Sequence, residues 1–342
     1  MKNLVKYAFL LFSFLLICCG AAPYKEYARA GFVIGTLCQI RIYTKLPKKE
    51  AEKTLDSIFT RLQKLEEILS ANAENSELML VNTHAGIKPI TVSHELISLL
   101  QTAVFFAEKT NGAFDPAIGA IVKLWNIGFD TANVPADDEI KNRLSLANYK
   151  NIEFNKNTVF LKESGMMLDL GAIAKGFAAD EIIKILKQRD INTAIIDLGG
   201  NIFALGEKSK GEPWKVGLRN PHLHNEFPVV SAEVRDTSVV TSGSYERFFE
   251  KNGVRYHHII DPKTGYPVKT NLVSVSIFAK NSTDADALST ACFVLGYKKS
   301  IELLKDFPEV EAVFIFDDDT IKTTTGLKGK IGILNKTFKL TD

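Results

Sequence analysis

The 342-residue sequence predicts an α+β protein, and three features carry that prediction. Two long stretches, 48–69 and 93–110, repeat apolar residues at helical spacing. Short apolar and β-branched runs elsewhere are closed by glycine or asparagine turns, as strands are. At the centre, the apolar run 166–170 passes through Gly171 into a helical pattern from about Ile173 to Leu186. With 46% hydrophobic and 24% charged residues and a net charge of +2, the chain can bury the core of one large domain or two intimate ones. That balance leaves no electrostatic footprint for a nucleic acid.

Taken in order, the N-terminus stands apart. Lys2 and Lys6 precede a short apolar run, 10–17, patterned as a secretory signal rather than a membrane span. It ends in Leu16-Ile17-Cys18-Cys19-Gly20, which resembles a relaxed bacterial lipobox. Cys19 is the expected lipidation site, Cys18 the alternative, and a plain signal peptide the simpler reading. A lipid on Cys19 would anchor the protein to a membrane without spanning it. The expected layout is a signal peptide with lipobox over 1–19, a tether over 20–30 and a globular domain over 31–342. Cys38 and Cys292 read as buried free thiols, and the sequence does not show whether they meet.

Residues 32–43 form a strand broken at Gly35-Thr36, where glycine either admits a flat ligand or marks an edge bulge. In 48–69, Leu55, Ile58, Phe59, Leu62, Leu65, Ile68 and Leu69 make one core stripe. Ser76 is placed to cap a short helix. The helix over 93–110 turns Leu96, Leu99, Leu100, Val104 and Phe105 inward and stops at Asn111-Gly112. Asp115-Pro116 starts a turn, Trp125 is core, and a short helix lies within 133–149. A hairpin follows around Asn155-Lys156-Asn157. Strands at 194–198 and 214–218 flank Gly199-Gly200-Asn201, and the loop 221–228 carries His222 and His224, read as solvated. Thr241-Ser242-Gly243-Ser244-Tyr245-Glu246-Arg247 reads as strand and turn. The strand at 256–260 runs into the turn Asp261-Pro262-Lys263-Thr264-Gly265. Asn281 opens a helix on which Asp286 and Thr290, four apart, share a face and can hold one cation. A terminal hairpin spans 310–322.

The central stretch Asp169-Leu170-Gly171-Ala172-Ile173-Ala174-Lys175-Gly176 is not a Walker loop and not GxGxxG. Its strand, glycine turn and helix start offer free N–H groups, a positive dipole end and the Lys175 charge to an anion. Together with Gly112-Ala113-Phe114-Asp115-Pro116, His258-Ile259-Ile260-Asp261-Pro262 and Ala285-Asp286-Ala287-Leu288-Ser289-Thr290-Ala291, it resembles the ApbE family, the FAD:protein FMN transferases. The resemblance implies an α+β fold with mixed β-sheets and flanking helices around a central FAD cleft. It implies contact with FAD at Ile34, Asn72, Ala113, Phe114, Asp115, Asp169, Lys175, Ile259 and Asp261. It implies Mg²⁺ on the Ala172 carbonyl, Asp286 and Thr290, and catalysis by His258, as a general base or as a transient FMN acceptor. The implied reaction moves FMN from FAD to a Thr or Ser hydroxyl of exported or membrane redox subunits, on the periplasmic face of a bacterial membrane, most naturally the inner one. One position departs: the family carries an aromatic residue where this chain has Asn72. That favours water as a competing acceptor, hence FAD pyrophosphatase activity. A flavin-binding lipoprotein without chemistry is the third reading.

Overall fold

The computed structural model describes residues 24–208, 211–222 and 227–341. The signal segment, Cys18, Cys19 and His224 lie outside the described residues. Among the described residues no helix is long and apolar enough to cross a membrane.

The chain opens with β1 (Lys25–Val33) and β2 (Thr36–Thr44), paired in register from Lys25↔Thr44 to Val33↔Thr36. The expected tether over 20–30 is therefore corrected: from Lys25 the backbone already belongs to a sheet. The expected break at Gly35 is a two-residue hairpin turn, with Ile34 at φ 50° and Gly35 at φ 70°. Such turns match the right-handed twist of the strands they join. A β-branched residue at positive φ is strained, and Ile34 is held there by packing on the core.

Next come α1 (Lys48–Leu69) and α2 (Glu77–Thr83). Ser76 caps α2, its hydroxyl accepting from Met79 N at 3.0 Å. After β3 (Ile90–Thr91) runs α3 (His94–Lys109), capped by Ser93. Phe105, expected inward, is 45% exposed; Phe106 takes the buried place beside it. Two short helices, α4 (Gly119–Trp125) and α5 (Asp137–Leu144), and the hairpin β4 (Ile152–Asn155) and β5 (Thr158–Leu161) precede α6 (Ala174–Gln188). The run 166–170 is not a ladder strand. It is extended backbone with one parallel bridge, Ile118↔Met167.

The second half is β6 (Ala194–Leu198), β7 (Asn201–Leu205), β8 (Trp214–Leu218), β9 (Val230–Val234), β10 (Thr237–Gly243), β11 (Phe248–Lys251), β12 (Val254–His257) and β13 (Leu272–Ala279). Then follow α7 (Ser282–Leu304), β14 (Glu311–Phe316), β15 (Thr320–Thr323), β16 (Ile331–Ile333) and β17 (Lys339–Leu340). Helix α7 breaks at Gly296, φ 73°. Nine strands form one sheet in the order β1-β2-β6-β7-β10-β13-β14-β15-β17. Only β15 and β17 pair in parallel, so the sheet is mixed.

Alternation along these strands sends side chains to two cores. Cys38, Ile40, Ile196, Val240, Val275 and Phe314 meet the helical layer. Ala204, Val239, Phe278, Val313 and Ile315 meet the small sheet β16-β9-β8. A third, smaller core joins Trp125, Ile140 and Ile260, and Trp125 Nε1 donates to the Gly265 carbonyl at 2.8 Å. Both expected free thiols are buried. His222, read as solvated, bonds Asp319 through Nε2 at 2.7 Å and stacks on Phe338.

The contact that positions everything later is the crossing of α6 and α7. Gly176 has no room for a side chain, because a Cβ would run into the Ser282 carbonyl. Gly176→Ala should therefore force the helix starts apart and cost on the order of 1–3 kcal/mol. A urea midpoint unchanged from that of the parent protein would show that the crossing tolerates a methyl.

Candidate active site at two opposed helix starts

Each of the two helices is capped by a carboxylate from the other. Asp180, on α6, accepts from Ser282 N (2.9 Å), Thr283 N (2.9 Å) and the Thr283 hydroxyl (2.6 Å) at the start of α7. Asp286, on α7, accepts from Gly176 N at 2.9 Å in the first turn of α6. The pairings of Gly176 with Asp286 and of Asp180 with Ser282 run the two helices past each other in opposite directions, with first-turn N–H groups of each satisfied by the other's carboxylate. The Gly176 N–H would otherwise serve the Ala172 carbonyl four residues back. Turned onto Asp286, it leaves that carbonyl to another partner.

Lys175 stands between these groups. Its Nζ lies 3.1 Å from the Gly171 carbonyl and 3.4 Å from Asp286 Oδ1. Asp286 is buried. Thr290, one turn on, has its hydroxyl 3.2 Å from Ser242 Oγ, which also bonds Ser289 Oγ at 2.8 Å. Asp169 accepts from Gly171 N at 2.8 Å, fixing the glycine turn. Burial raises its pKa, and the Gly171 N–H and the Arg247 and Lys175 charges offset part of the rise.

The extended run before this turn is held on both sides. Asn82 grips Leu168 twice, Nδ2 donating to its carbonyl (3.0 Å) and Oδ1 accepting from its N–H (2.7 Å). On the other side Asp169 N donates to the Pro116 carbonyl (2.9 Å), and Gly119 N to the Met167 carbonyl (2.9 Å). This is how segments 70–82 and 112–119 reach the central motif. The β1–β2 turn arrives differently. Thr36 fills the space that a side chain on Gly199 would need, and Asn201 Oδ1 accepts from Ser282 Oγ at 2.9 Å.

His258 follows β12 directly. Its N–H donates to the Arg247 carbonyl at 3.0 Å, and its Nδ1 lies 3.2 Å from the same oxygen. A carbonyl only accepts, so Nδ1 carries the proton and Nε2 keeps a free lone pair. Burial lowers the imidazole pKa to about 3, with Arg247, His257 and Lys175 adding to the fall and the Arg247 carbonyl opposing it. His257 faces the other way: Nε2 meets the Val268 carbonyl at 3.0 Å and the ring packs edge-on to Phe293.

The structure brings Asp169, Ala172, Lys175, Asp286 and Thr290 together, with His258 within reach of the Lys175 and Arg247 charges. It treats other expected contacts differently. Ala113, Phe114 and Ile259 are buried, so their side chains belong to the core. The Asp115 carboxylate accepts from Ala117 N (2.8 Å) and Tyr149 N (3.1 Å), and burial raises its pKa to about 6. Asp261 accepts from Lys263 N at 2.9 Å and shapes its turn. Asn72 is exposed, its N–H on Ser70 Oγ at 3.2 Å. Sequence reasoning underweighted Arg247, Asn82 and Asp180. The Thr-Ser-Gly-x-Tyr-x-Arg pattern and the Asp that closes the central motif were the available signals.

A family model described as the ApbE family matches residues 34–314. The chain belongs to the ApbE family. Among relatives, it is 50% identical over 338 residues to the FAD:protein FMN transferase of Treponema pallidum, covering 94% of this chain and 93% of that protein. The protein of that name from Klebsiella pneumoniae is 34% identical over 320 residues, covering 93% and 98%. Two solved structures have the same fold. The ApbE protein of Thermotoga maritima superposes with a TM-score of 0.82 at 32% identity, over 90% of this chain and 99% of that one. A histidine-to-glycine mutant of the Vibrio cholerae flavin transferase ApbE gives 0.79 at 27% identity, over 90% and 99%. Among the described residues the fold is thus α+β, with one large mixed sheet, smaller antiparallel sheets and seven α-helices, and no closed barrel.

The geometry of His258 sets a pH expectation. Its folded pKa lies below the ordinary 6.5, so the unfolded chain binds the extra proton first as pH falls. His258 therefore subtracts stability progressively from about pH 6.5 downward. His258→Asn should flatten the fall in urea stability between pH 7.5 and 5. In ¹⁵N NMR the parent ring should stay neutral, as the Nδ1–H tautomer, at pH 5. An imidazolium signal there would overturn this assignment.

Proposed function

We propose that this chain transfers FMN from FAD to a Thr or Ser hydroxyl of an exported target protein, forming a phosphoester and releasing AMP. The observation that carries the reading is the juxtaposition of the Lys175 and Arg247 charges with a histidine whose free nitrogen is Nε2. Lys175, in the first turn of α6, suits the FAD pyrophosphate. The hydroxyl oxygen bonds to the FMN phosphorus, its proton passes to His258 Nε2, and the P–O bond to AMP breaks with its electron pair leaving on AMP. Arg247 adds positive charge where phosphate charge builds. His258 as a transient FMN acceptor fits the same lone pair.

The oxygens present suit Mg²⁺: a buried carboxylate on Asp286, the Thr290 hydroxyl and the Ala172 carbonyl that Gly176 leaves unserved. Among the described residues no group of three or more His, Cys, Asp and Glu could hold a metal. A shell completed by water and substrate phosphate is the habit of Mg²⁺. Bound there, the cation would draw negative charge from the pyrophosphate.

A second reading rests on Asn72. The residue is exposed and offers no ring to stack on a flavin. Water then competes with the protein hydroxyl, and FAD hydrolysis to FMN and AMP accompanies transfer. For location, the Cys19 lipid anchor would place the domain on the periplasmic face of a bacterial membrane, near exported or membrane redox subunits that accept FMN.

The test follows AMP and FMN by chromatography after adding FAD and Mg²⁺, with and without a candidate target and with a chelator. AMP with flavin fixed to the target is expected, and none with chelator. His258→Asn should abolish both products. FAD surviving with the parent protein in every mixture would leave a binding protein. Asn72→Tyr should tighten FAD roughly fivefold, the equivalent of about 1 kcal/mol of ring contact, and reduce free FMN. Unchanged affinity and hydrolysis would remove Asn72 from the argument.

A further inference from the structure

Lys175 occupies a position that its expected contact with FAD does not explain. Its ammonium lies 3.4 Å from Asp286 Oδ1 and 3.1 Å from the Gly171 carbonyl, the residue just before Ala172. Asp286 Oδ2 is already taken by Gly176 N. Oδ1 is thus the oxygen open to a cation, and a cation from the chain itself sits on it. Asp286 is 3% exposed, and a carboxylate so buried is costly without a positive partner.

We propose that Lys175 is a place-holder for the divalent cation, and that through it FAD and the cation strengthen each other's binding. The proposal rests on the reading of Asp286 as a cation ligand. A lysine ammonium is a compact point charge on a flexible stem, able to exchange one anionic partner for another. Without FAD, it competes with a divalent cation for Asp286 Oδ1, and the two positive charges repel. The FAD pyrophosphate offers Lys175 a second anion. Moved onto phosphate, the ammonium releases Oδ1 to the cation. The coupling is reciprocal, so the cation tightens FAD by the same factor. The Lys175 charge also reaches Asp169 and His258, as does that of Arg247.

Equilibrium binding of Mn²⁺, read by electron paramagnetic resonance, tests this without turnover. His258→Asn serves as the background so that FAD survives. In that background FAD should tighten Mn²⁺. Adding Lys175→Met, which keeps the stem and removes the charge, should tighten Mn²⁺ without FAD by roughly 5–150-fold, the usual range of such couplings. FAD should then tighten Mn²⁺ by less than it does in the background, keeping only the gain from its phosphate as a ligand. Lys175→Gln, with a polar stem end, should behave in the same way. Equal or weaker Mn²⁺ binding in both Lys175 variants would overturn the proposal and leave the cation site standing. If Asp286→Asn binds Mn²⁺ as the parent does, the cation reading fails and takes the proposal with it.

Discussion

The reciprocal capping of α6 and α7 is the constraint on which the rest of the site depends. A helix start leaves N–H groups without partners, and burying two such starts against each other is costly unless both are satisfied. Asp180 and Asp286 do this crosswise, each from the body of one helix to the head of the other. The exchange is possible only because Gly176 lets the backbones touch. A single glycine therefore fixes the distance between the Lys175 turn and the Asp286–Thr290 face. Neither helix alone would make a site. Together they set the Lys175 ammonium beside the buried Asp286 carboxylate, one turn from the Thr290 hydroxyl.

The His258 ring is set on a different element by the same logic of buried polar groups. The Arg247 carbonyl takes both the backbone and the side-chain N–H of His258. That double contact orients the ring and fixes the tautomer, while burial and neighbouring positive charge keep it neutral. The Arg247 and Lys175 charges thus add to the burial that lowers the basicity of His258.

Much of the fold was legible in the sequence. The stripe of α1, the Ser76 cap, the Asn155–Asn157 hairpin and the β6 and β8 strands follow from local periodicity and turn chemistry. The misreadings have one physical origin: local pattern does not report a distant partner. Residues 166–170 look like a strand, yet their hydrogen bonds go to Asn82 and to 116–119 rather than to a ladder. Residues 25–30 look like a tether because small and charged residues there face outward, while β2 supplies their backbone partners. The break at Gly35-Thr36 is legible from the glycine, but not as a hairpin turn, because the other turn residue, Ile34, is β-branched and sits at positive φ against propensity. Asn82, Asp180 and Arg247 act across long sequence separations, which no spacing rule reveals.

The same distinction separates two kinds of motif residue. Asp115 and Asp261 stand in the most specific sequence patterns of the chain, yet each carboxylate accepts from backbone N–H groups of its own loop or a neighbouring one. Their chemistry is to set loop shape. Asp115 ties the 112–119 loop to Tyr149, and that loop in turn carries the Pro116 carbonyl that holds Asp169. Asp169 also shapes its own turn, through Gly171 N, but it feels the Lys175 and Arg247 charges as well, and Asp286 both holds Gly176 N and pairs with Lys175. A pattern match weighs both kinds equally. The hydrogen-bond and charge partners show which carboxylates only shape a loop and which also face a cation of the chain.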